Sequence, residues 1–326
     1  MKKENNMQNI SDAVKLGLWP ESKVLTSENG LPELEELGYN LFYIGKNADL
    51  YFVAGDVPHV LLVRSDRTSV FDIPLDLQIV GKGIVQSQIS DLGFDFAESM
   101  GIKTARKKLP VNLPESVKER SQLFELCKPV YTLHNNETVG MELIFRKYLT
   151  GSLFKIYKQG LDPYELFLPE GMNEWDKFQS VIFTPTTKGE KDIPMSGLRV
   201  NIDFFDIVEN LLRLFNQFYE ECLINGIVVV DTKFEVFYNS NGNWVLGDEV
   251  LTPESSRYID LEDFTKNDYI SMDKQILRNY GEQAGWKEQA KTLEKGQKLH
   301  VEVPKEIQDR ILKGYIDVYK TLKRLA

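Results

Sequence analysis

Apolar positions in the first part of the chain fall in short runs broken by turn residues. Leu41-Phe42-Tyr43-Ile44, Leu50 to Ala54 and Val60-Leu61-Leu62-Val63 are such runs, separated by Gly45-Lys46-Asn47-Ala48-Asp49 and Gly55-Asp56. This spacing predicts an antiparallel, β-rich start. A helical stripe then appears over Val85 to Met100, carried by Ile89, Leu92, Phe96 and Met100 and stopped by Gly101. Leu123 to Val130 and Thr138 to Phe145 read as paired strands about a turn at His134-Asn135-Asn136, with residues 102–120 as a connection. A helix is expected from Leu153 to Gln159 with Ser152 as its N-cap. Residues 160–180, interrupted by Pro163, Pro169 and Gly171, read as irregular. From Asp203 to Leu223 the apolar face is broad, with Phe204, Ile207, Leu211, Phe215, Phe218 and Cys222, so this is a core helix. Further helices are expected from Asp273-Lys274-Gln275, carrying Arg278, and after Pro304, with Ile311, Tyr315, Val318 and Leu322 inward. Residues 1–38 read as an extension with a short helix near Leu34 and Leu37.

The densest chemistry lies between Val228 and Arg257. An apolar run, Ile227 to Val230, opens a strand that continues to Glu235. Alternation places Asp231, Lys233 and Glu235 on one face and Thr232, Phe234 and Val236 on the other. Asn239 to Gly242 supply a turn, and Trp244-Val245-Leu246 return the chain to Gly247-Asp248-Glu249. Glu235 and Asp248 then share a face if the loop holds an even number of residues, such as the six from Asn239 to Trp244, or if Asp248 lies past the strand end. Two carboxylates beside a lysine suit Mg²⁺ carrying nucleotide phosphates. An ordinary hairpin with a solvated charged face fits the same spacing. The following Thr252-Pro253-Glu254-Ser255-Ser256-Arg257 groups hydroxyls and a guanidinium, as an anion-binding turn would. Arg146 just before the Ser152 helix start is a second place for an anion.

Composition narrows the classes. The 326-residue chain carries a formal charge of −10, which argues against general binding to nucleic acid or a membrane surface and leaves room for a local basic cluster. Its two cysteines, Cys127 and Cys222, form no metal or disulfide pattern and fit a reducing cytoplasm. The N-terminus shows no secretory signal and no run is long enough to span a membrane. No histidine has a partner at metal or triad spacing.

Taken together, the blocks GKNADLYF (45–52), SDRTSVFD (65–72), GKG (81–83), ELIFRKYLTGS (142–152), IFTPTTK (182–188), VVDTKFE (229–235), GDEVLTPESSR (247–257) and DKQILRNY (273–280) resemble the SAICAR synthetase family, in family order. The resemblance implies an α+β, two-lobed fold of kinase/ATP-grasp type, with ATP in the cleft. Residues 39–139 would be a β-rich N-terminal lobe and 140–326 a larger C-terminal lobe. It implies ligation of L-aspartate to a carboxylated aminoimidazole ribotide (CAIR) with ATP and Mg²⁺. On it, Gly45, Lys46, Asp49 and Lys82 serve ATP, Glu235 and Asp248 hold Mg²⁺, and Lys233 and Asp231 act at the reacting centre. Arg67, Ser69, Arg146, Ser152, Ser255, Ser256, Arg257 and Arg278 would bind the ribotide. The partners are small molecules, with neither nucleic acid nor membrane, and monomer and homo-oligomer both stay open.

Two positions depart from the family pattern. Ala48 replaces the arginine of a usual Gly-Lys-Val-Arg-Asp loop, and Lys147 stands where glycine is common. A small-molecule kinase on a related fold and a non-catalytic nucleotide-binding homologue are the competing readings.

Overall fold

The computed structural model describes residues 31–325 apart from 54–57, 72, 135–136, 189–191, 198–203, 273 and 295–296. The expected helix start at Asp203, the turn at Asn135-Asn136 and nearly all of the N-terminal extension lie outside these residues.

The first sheet follows from the short apolar runs. A short helix, α1 (Pro32–Glu36), precedes β1 (Tyr39–Ile44), β2 (Ala48–Val53) and β3 (His59–Arg64), which pair antiparallel in sequence order. Leu34 of α1 is fully buried against Tyr39, Leu41, Tyr51 and Leu61. A separate ribbon, β4 (Arg67–Val70) and β5 (Ile73–Gln78), leads into α2 (Lys82–Ser99). This helix starts three residues before the sequence-based expectation at Val85, because Gly81 adopts φ 89° and serves as its N-cap. After β6 (Arg106–Lys107) and α3 (Glu115–Lys118), β7 (Ser121–Glu125) closes the sheet in the order β1-β2-β3-β7-β6. The expected pairing of Leu123 to Val130 with Thr138 to Phe145 is therefore corrected. β7 pairs with β3, and only Tyr131–His134 forms a hairpin strand with the following one. Alternation gives the period of a strand but not its partner, and β3 offers an apolar neighbour first.

The second sheet holds β8 (Lys128–Pro129), β9 (Tyr131–His134), β10 (Glu137–Tyr148), β11 (Lys177–Phe183), β12 (Thr186–Lys188), β13 (Ile227–Tyr238), β14 (Trp244–Gly247) and β15 (Ser256–Asp260). The long strands β10 and β13 are its spine, with Arg146 opposite Asp231 and Ile144 opposite Lys233. Helix α4 (Gly151–Lys158) follows β10, and α5 (Phe204–Ile224) packs on β13. From α5, Leu211, Leu214 and Phe215 are completely buried. Each such side chain is worth roughly 1.5–3 kcal/mol relative to exposure, so this helix anchors the strand that carries the site. Short helices α6 (Leu261–Thr265), α7 (Gln275–Gln283) and α8 (Trp286–Gln289) lead to the terminal helix α9 (Lys305–Leu322), which packs on α2. The same core includes Leu62 and Ile89 from the first half and Val229, Phe234 and Tyr315 from the second, so one apolar body joins both sheets.

Candidate active site

Many of the candidate site residues converge on a cleft of about 650 Å³, lined by loops after β1 and β4, by β10 and β13, and by α4, α7 and α8; Gly45, Asp49, Arg67, Lys82, Glu235 and Asp248 lie outside its lining. Ten residues singled out from the sequence line it: Lys46, Ser69, Arg146, Ser152, Asp231, Lys233, Ser255, Ser256, Arg257 and Arg278. They come from segments far apart in the chain; the pairing of β10 with β13 sets Arg146 opposite Asp231, and that of β13 with β15 sets Arg257 there too.

At the cleft floor, Asp231 is gripped by two guanidinium groups. Arg146 Nη1 donates to Oδ2 at 2.6 Å and Arg257 Nε donates to Oδ1 at 2.9 Å, with Arg257 Nη2 also on Oδ2. Burial would raise the Asp231 carboxyl, but Arg257 and then Arg146 outweigh it and hold the group below its ordinary range. Arg146 is fixed further by Thr184 Oγ1 at 2.9 Å and Ser152 Oγ at 3.4 Å. Ser152 is not the N-cap expected from the sequence. The cap position is Thr150, and Ser152 sits in the first turn, where its hydroxyl accepts from Arg146. Gly151 lies at φ 63°, a conformation that favours glycine, and a Cβ there would sit 2.9 Å from Arg257 Nη1. The glycine lets Arg257 cross the open end of α4. One carboxylate thus balances two arginines, leaving the cluster net positive beside a helix N-terminus, an arrangement suited to an anion.

Next along β13, Lys233 Nζ donates to Glu142 Oε1 at 2.8 Å and Glu235 Oε1 at 3.1 Å. Lys188 also pairs with Glu235. Burial alone would lower Lys233, but Glu235 and Glu142 raise it well above its ordinary value, so it is a fixed cation. Glu235 lies opposite Gly247, and Tyr238 opposite Trp244, so the loop holds an odd number of residues. The second geometric condition is the one met: Asp248 lies beyond the end of β14 and turns with φ 59°. Helix α2 presses on this turn, since a Cβ on Gly93 would fall 2.4 Å from the Val250 carbonyl oxygen. Asp248 and Glu235 feel each other strongly. Burial, then the charges on Glu235 and Glu249, push Asp248 above the usual carboxylate range. Glu235 moves the other way, because Lys188 and Lys233 outweigh the burial that would raise it.

Among the described residues no three His, Cys, Asp or Glu side chains gather as a metal cage. The Glu235–Asp248 pair nevertheless fits Mg²⁺, a hard cation commonly held by one or two carboxylates with substrate oxygens. Its repelling charges are what a divalent cation would relieve, with Lys188 giving up its hold on Glu235.

Several residues named from the sequence are placed behind the cleft rather than in it. Arg67 Nη1 donates to Asp49 Oδ2 at 3.2 Å and Nη2 to the Gly45 carbonyl at 3.0 Å, so Arg67 and Asp49 brace the turn that presents Lys46. In that turn Gly45 N donates to the Ala48 carbonyl at 2.7 Å, and a Cβ on Gly45 would fall 2.6 Å from the same oxygen. Lys82 is not brought to the cleft. It is 1% exposed and donates to the Arg67 carbonyl at 2.6 Å and to Glu254 at 3.4 Å. Lys147, the second departure, is buried away from the cleft with its ammonium 5.1 Å from the Tyr219 ring.

Glu254 is the participant that motif reasoning missed. Its carboxylate accepts from Asn47 Nδ2 at 3.1 Å, Tyr315 OH at 2.8 Å, Lys82 and Lys274, and so ties the Lys46 loop to α9 and to the start of α7. Burial would raise it, but Lys274 and Lys82 hold it far below its ordinary value. We expect Glu254→Gln to lower stability by about 3 kcal/mol, since Lys82 is left buried beside a neutral amide. A urea midpoint unchanged from wild type would rule out this clasp. The sequence signal was there, a lone acid inside a hydroxyl-rich turn, but its partners lie 207, 172, 20 and 61 residues away.

A two-sheet α+β body whose cleft pairs a lysine-tipped loop with an arginine-lined anion pocket, with the Glu235–Asp248 pair outside the lining and joined to it through Lys233, defines an enzyme acting on phosphorylated small molecules. The SAICAR synthetase family model matches residues 41–293, and the chain belongs to that family. A phosphoribosylaminoimidazole-succinocarboxamide synthase of Neisseria meningitidis serogroup B is 34% identical over 271 residues, covering 79% of this chain and 91% of the relative. Among solved structures, a SAICAR synthase matches with TM-score 0.71 at 25% identity, covering 92% of this chain and 97% of its own. A SAICAR synthase from Saccharomyces cerevisiae complexed with SAICAR matches with TM-score 0.69 at 27% identity, covering 93% and 98%. These likenesses bear out the family and the SAICAR-synthetase-like α+β fold expected from the sequence.

Proposed function

We propose that this chain joins L-aspartate to the carboxylate of 5-amino-1-(5-phosphoribosyl)imidazole-4-carboxylate, CAIR, with conversion of ATP to ADP and phosphate, in de novo purine biosynthesis. The observation that carries the reading is the placement of Arg146, Ser152, Arg257 and Arg278 in one cleft with Lys46 and Lys233. A phosphate and a carboxylate each find planar cationic partners there. The names of the relatives point to the same reaction.

A carboxylate is a poor electrophile. Transfer of the γ-phosphoryl group to a CAIR carboxylate oxygen makes an acyl phosphate and releases ADP. The aspartate amine then attacks the carbonyl carbon, the C–O bond to phosphate breaks, and the amine loses a proton. No protein nucleophile is required, which agrees with a cleft built of cations and hydroxyls. Lys46 takes the ATP phosphates, and Gly45, Asp49 and Arg67 act by holding its loop. Lys233, fixed between Glu142 and Glu235, offsets charge at the reacting carboxylate. Arg146, Arg257, Arg278, Ser152, Ser255 and Ser256 orient the ribotide, Asp231 sets the two arginines against it, and Ser69 lines the mouth. Glu235 and Asp248 would hold Mg²⁺, which when bound would supply charge neutralisation of the transferring phosphoryl group. Lys82 supports the site from below through Glu254. The place of action in this reading is the reducing cytoplasm, where the buried free thiols Cys127 and Cys222 stay reduced.

The test is an assay with ATP, Mg²⁺ and CAIR, with and without aspartate. We expect succinocarboxamide product and ADP in equal amounts, both dependent on aspartate. ADP release matched by a phosphorylated ribotide and indifferent to aspartate would instead establish a kinase.

A further inference from the structure

Beyond the charged groups, the cleft contains one feature that no ionic role explains. Phe71 is the single aromatic side chain among the described residues lining it. It follows β4 at the tip of the β4–β5 ribbon, beside the Val70–Ile73 pair. It holds φ 55°, a left-handed conformation that is an outlier for a bulky residue and that persists where the surroundings enforce it. Its ring is half-buried, and the Lys287 ammonium of α8 stands over it, 4.0 Å from the centroid. Lys287 lines the same cleft and is shared with Glu282 at 3.1 Å. The rest of the lining is mostly charged or hydroxylated. It serves a phosphate, a sugar or a carboxylate well and offers little to a planar heterocycle.

We propose that Phe71 is the specificity-determining surface against which the imidazole ring of the ribotide packs, with Lys287 positioning the Phe71 ring. The proposal rests on the ribotide reading given above. An aromatic face recognises any flat heterocycle by stacking, so ATP's adenine is the competing occupant. The arginine cluster in the same cleft favours the ribotide. A phosphate gripped by Arg257 and Arg278 leaves its ring to find apolar surface in the same cavity, and Phe71 is the large flat one available.

The experiment compares Phe71→Leu, Phe71→Tyr and Lys287→Met with wild type. It measures KM for CAIR and for ATP, and competitive inhibition by ribose 5-phosphate, which carries the phosphate and sugar without the ring. In Phe71→Leu we expect the KM for CAIR to rise about tenfold, with the KM for ATP and the ribose 5-phosphate inhibition constant unchanged. Phe71→Tyr should retain near wild-type values, and Lys287→Met should raise the KM for CAIR about threefold. A rise in the ATP KM instead, or equal weakening of CAIR and ribose 5-phosphate, would overturn the proposal. If Phe71→Leu does not fold, an unchanged CAIR KM in Lys287→Met overturns it. A wild-type protein that forms no succinocarboxamide product at all refutes the ribotide reading itself, before any variant is compared.

Discussion

Asp248→Asn should lower kcat by a factor of about 10²–10³, the loss typical of removing one preorganised charge partner from a reacting centre, while the protein stays folded. Asparagine tolerates the left-handed backbone that Asp248 adopts at φ 59°. It also removes a charge that Glu235 and Glu249 repel. The melting temperature without Mg²⁺ should therefore match or exceed that of wild type. The titration has a definite sign. Burial, then Glu235 and Glu249, raise the folded-state pKa of Asp248 above its unfolded value. The folded protein then binds a proton that the unfolded chain does not. This contribution to stability is present at low pH and is lost as pH rises through the raised pKa. Mg²⁺ competes for the same site, so its stabilisation of wild type in thermal melts should strengthen over that rise and be largely absent in the variant. Glu235→Gln offers a contrast, because it leaves Lys188 and Lys233 beside a neutral amide and should cost stability as well as turnover. Wild-type turnover by Asp248→Asn at saturating Mg²⁺ would remove the acidic pair from the reaction.

Much of this site is legible from residue order because strand periodicity is strict. Asp231, Lys233 and Glu235 had to share a face, and the structure puts Asp231 and Lys233 in the cleft with Glu235 bound to Lys233. The Glu235–Asp248 approach was legible only as a condition, since loop parity is set by which residue pair closes the hairpin. The closing pair is Tyr238 and Trp244, and Asp248 escapes the parity rule by leaving the strand. Motif reasoning is weakest where a polar side chain supports rather than touches. Lys82 belongs to a glycine-flanked block that the family resemblance assigns to ATP, yet desolvation and Glu254 make it a buried strut. Arg67 and Asp49 read as contacts and prove to be a brace. Spacing encodes which face a residue takes. It does not encode whether a charge meets solvent or another buried charge, because that depends on strands and helices arriving from far along the chain.

Asp231 shows what such a buried charge is worth. We expect Asp231→Asn to destabilise the protein by about 3–5 kcal/mol, the range found when one partner of a buried ion pair is removed. The side chain of Arg146 is 6% exposed and that of Arg257 is 17%, so neither guanidinium can recover its hydration by turning outward. An asparagine leaves two cations facing each other across one amide. Geometry suffers with stability, because Asp231 sets the angle at which Arg257 crosses Gly151. In the ribotide reading, the KM for CAIR should therefore rise at least tenfold, with the ATP KM little changed, since Lys46 lies on a different loop. The pH signature separates this from general damage. Burial raises and the two arginines lower the Asp231 pKa, and the net shift is downward from 3.8. Its contribution is present above the unfolded pKa and is lost as pH falls through the lower folded value. The urea midpoints of wild type and variant should thus converge only at strongly acid pH, below the ordinary carboxylate range. Convergence already at pH 5 would mean that Asp231 is protonated in the folded protein, and that the arginines are held by something else.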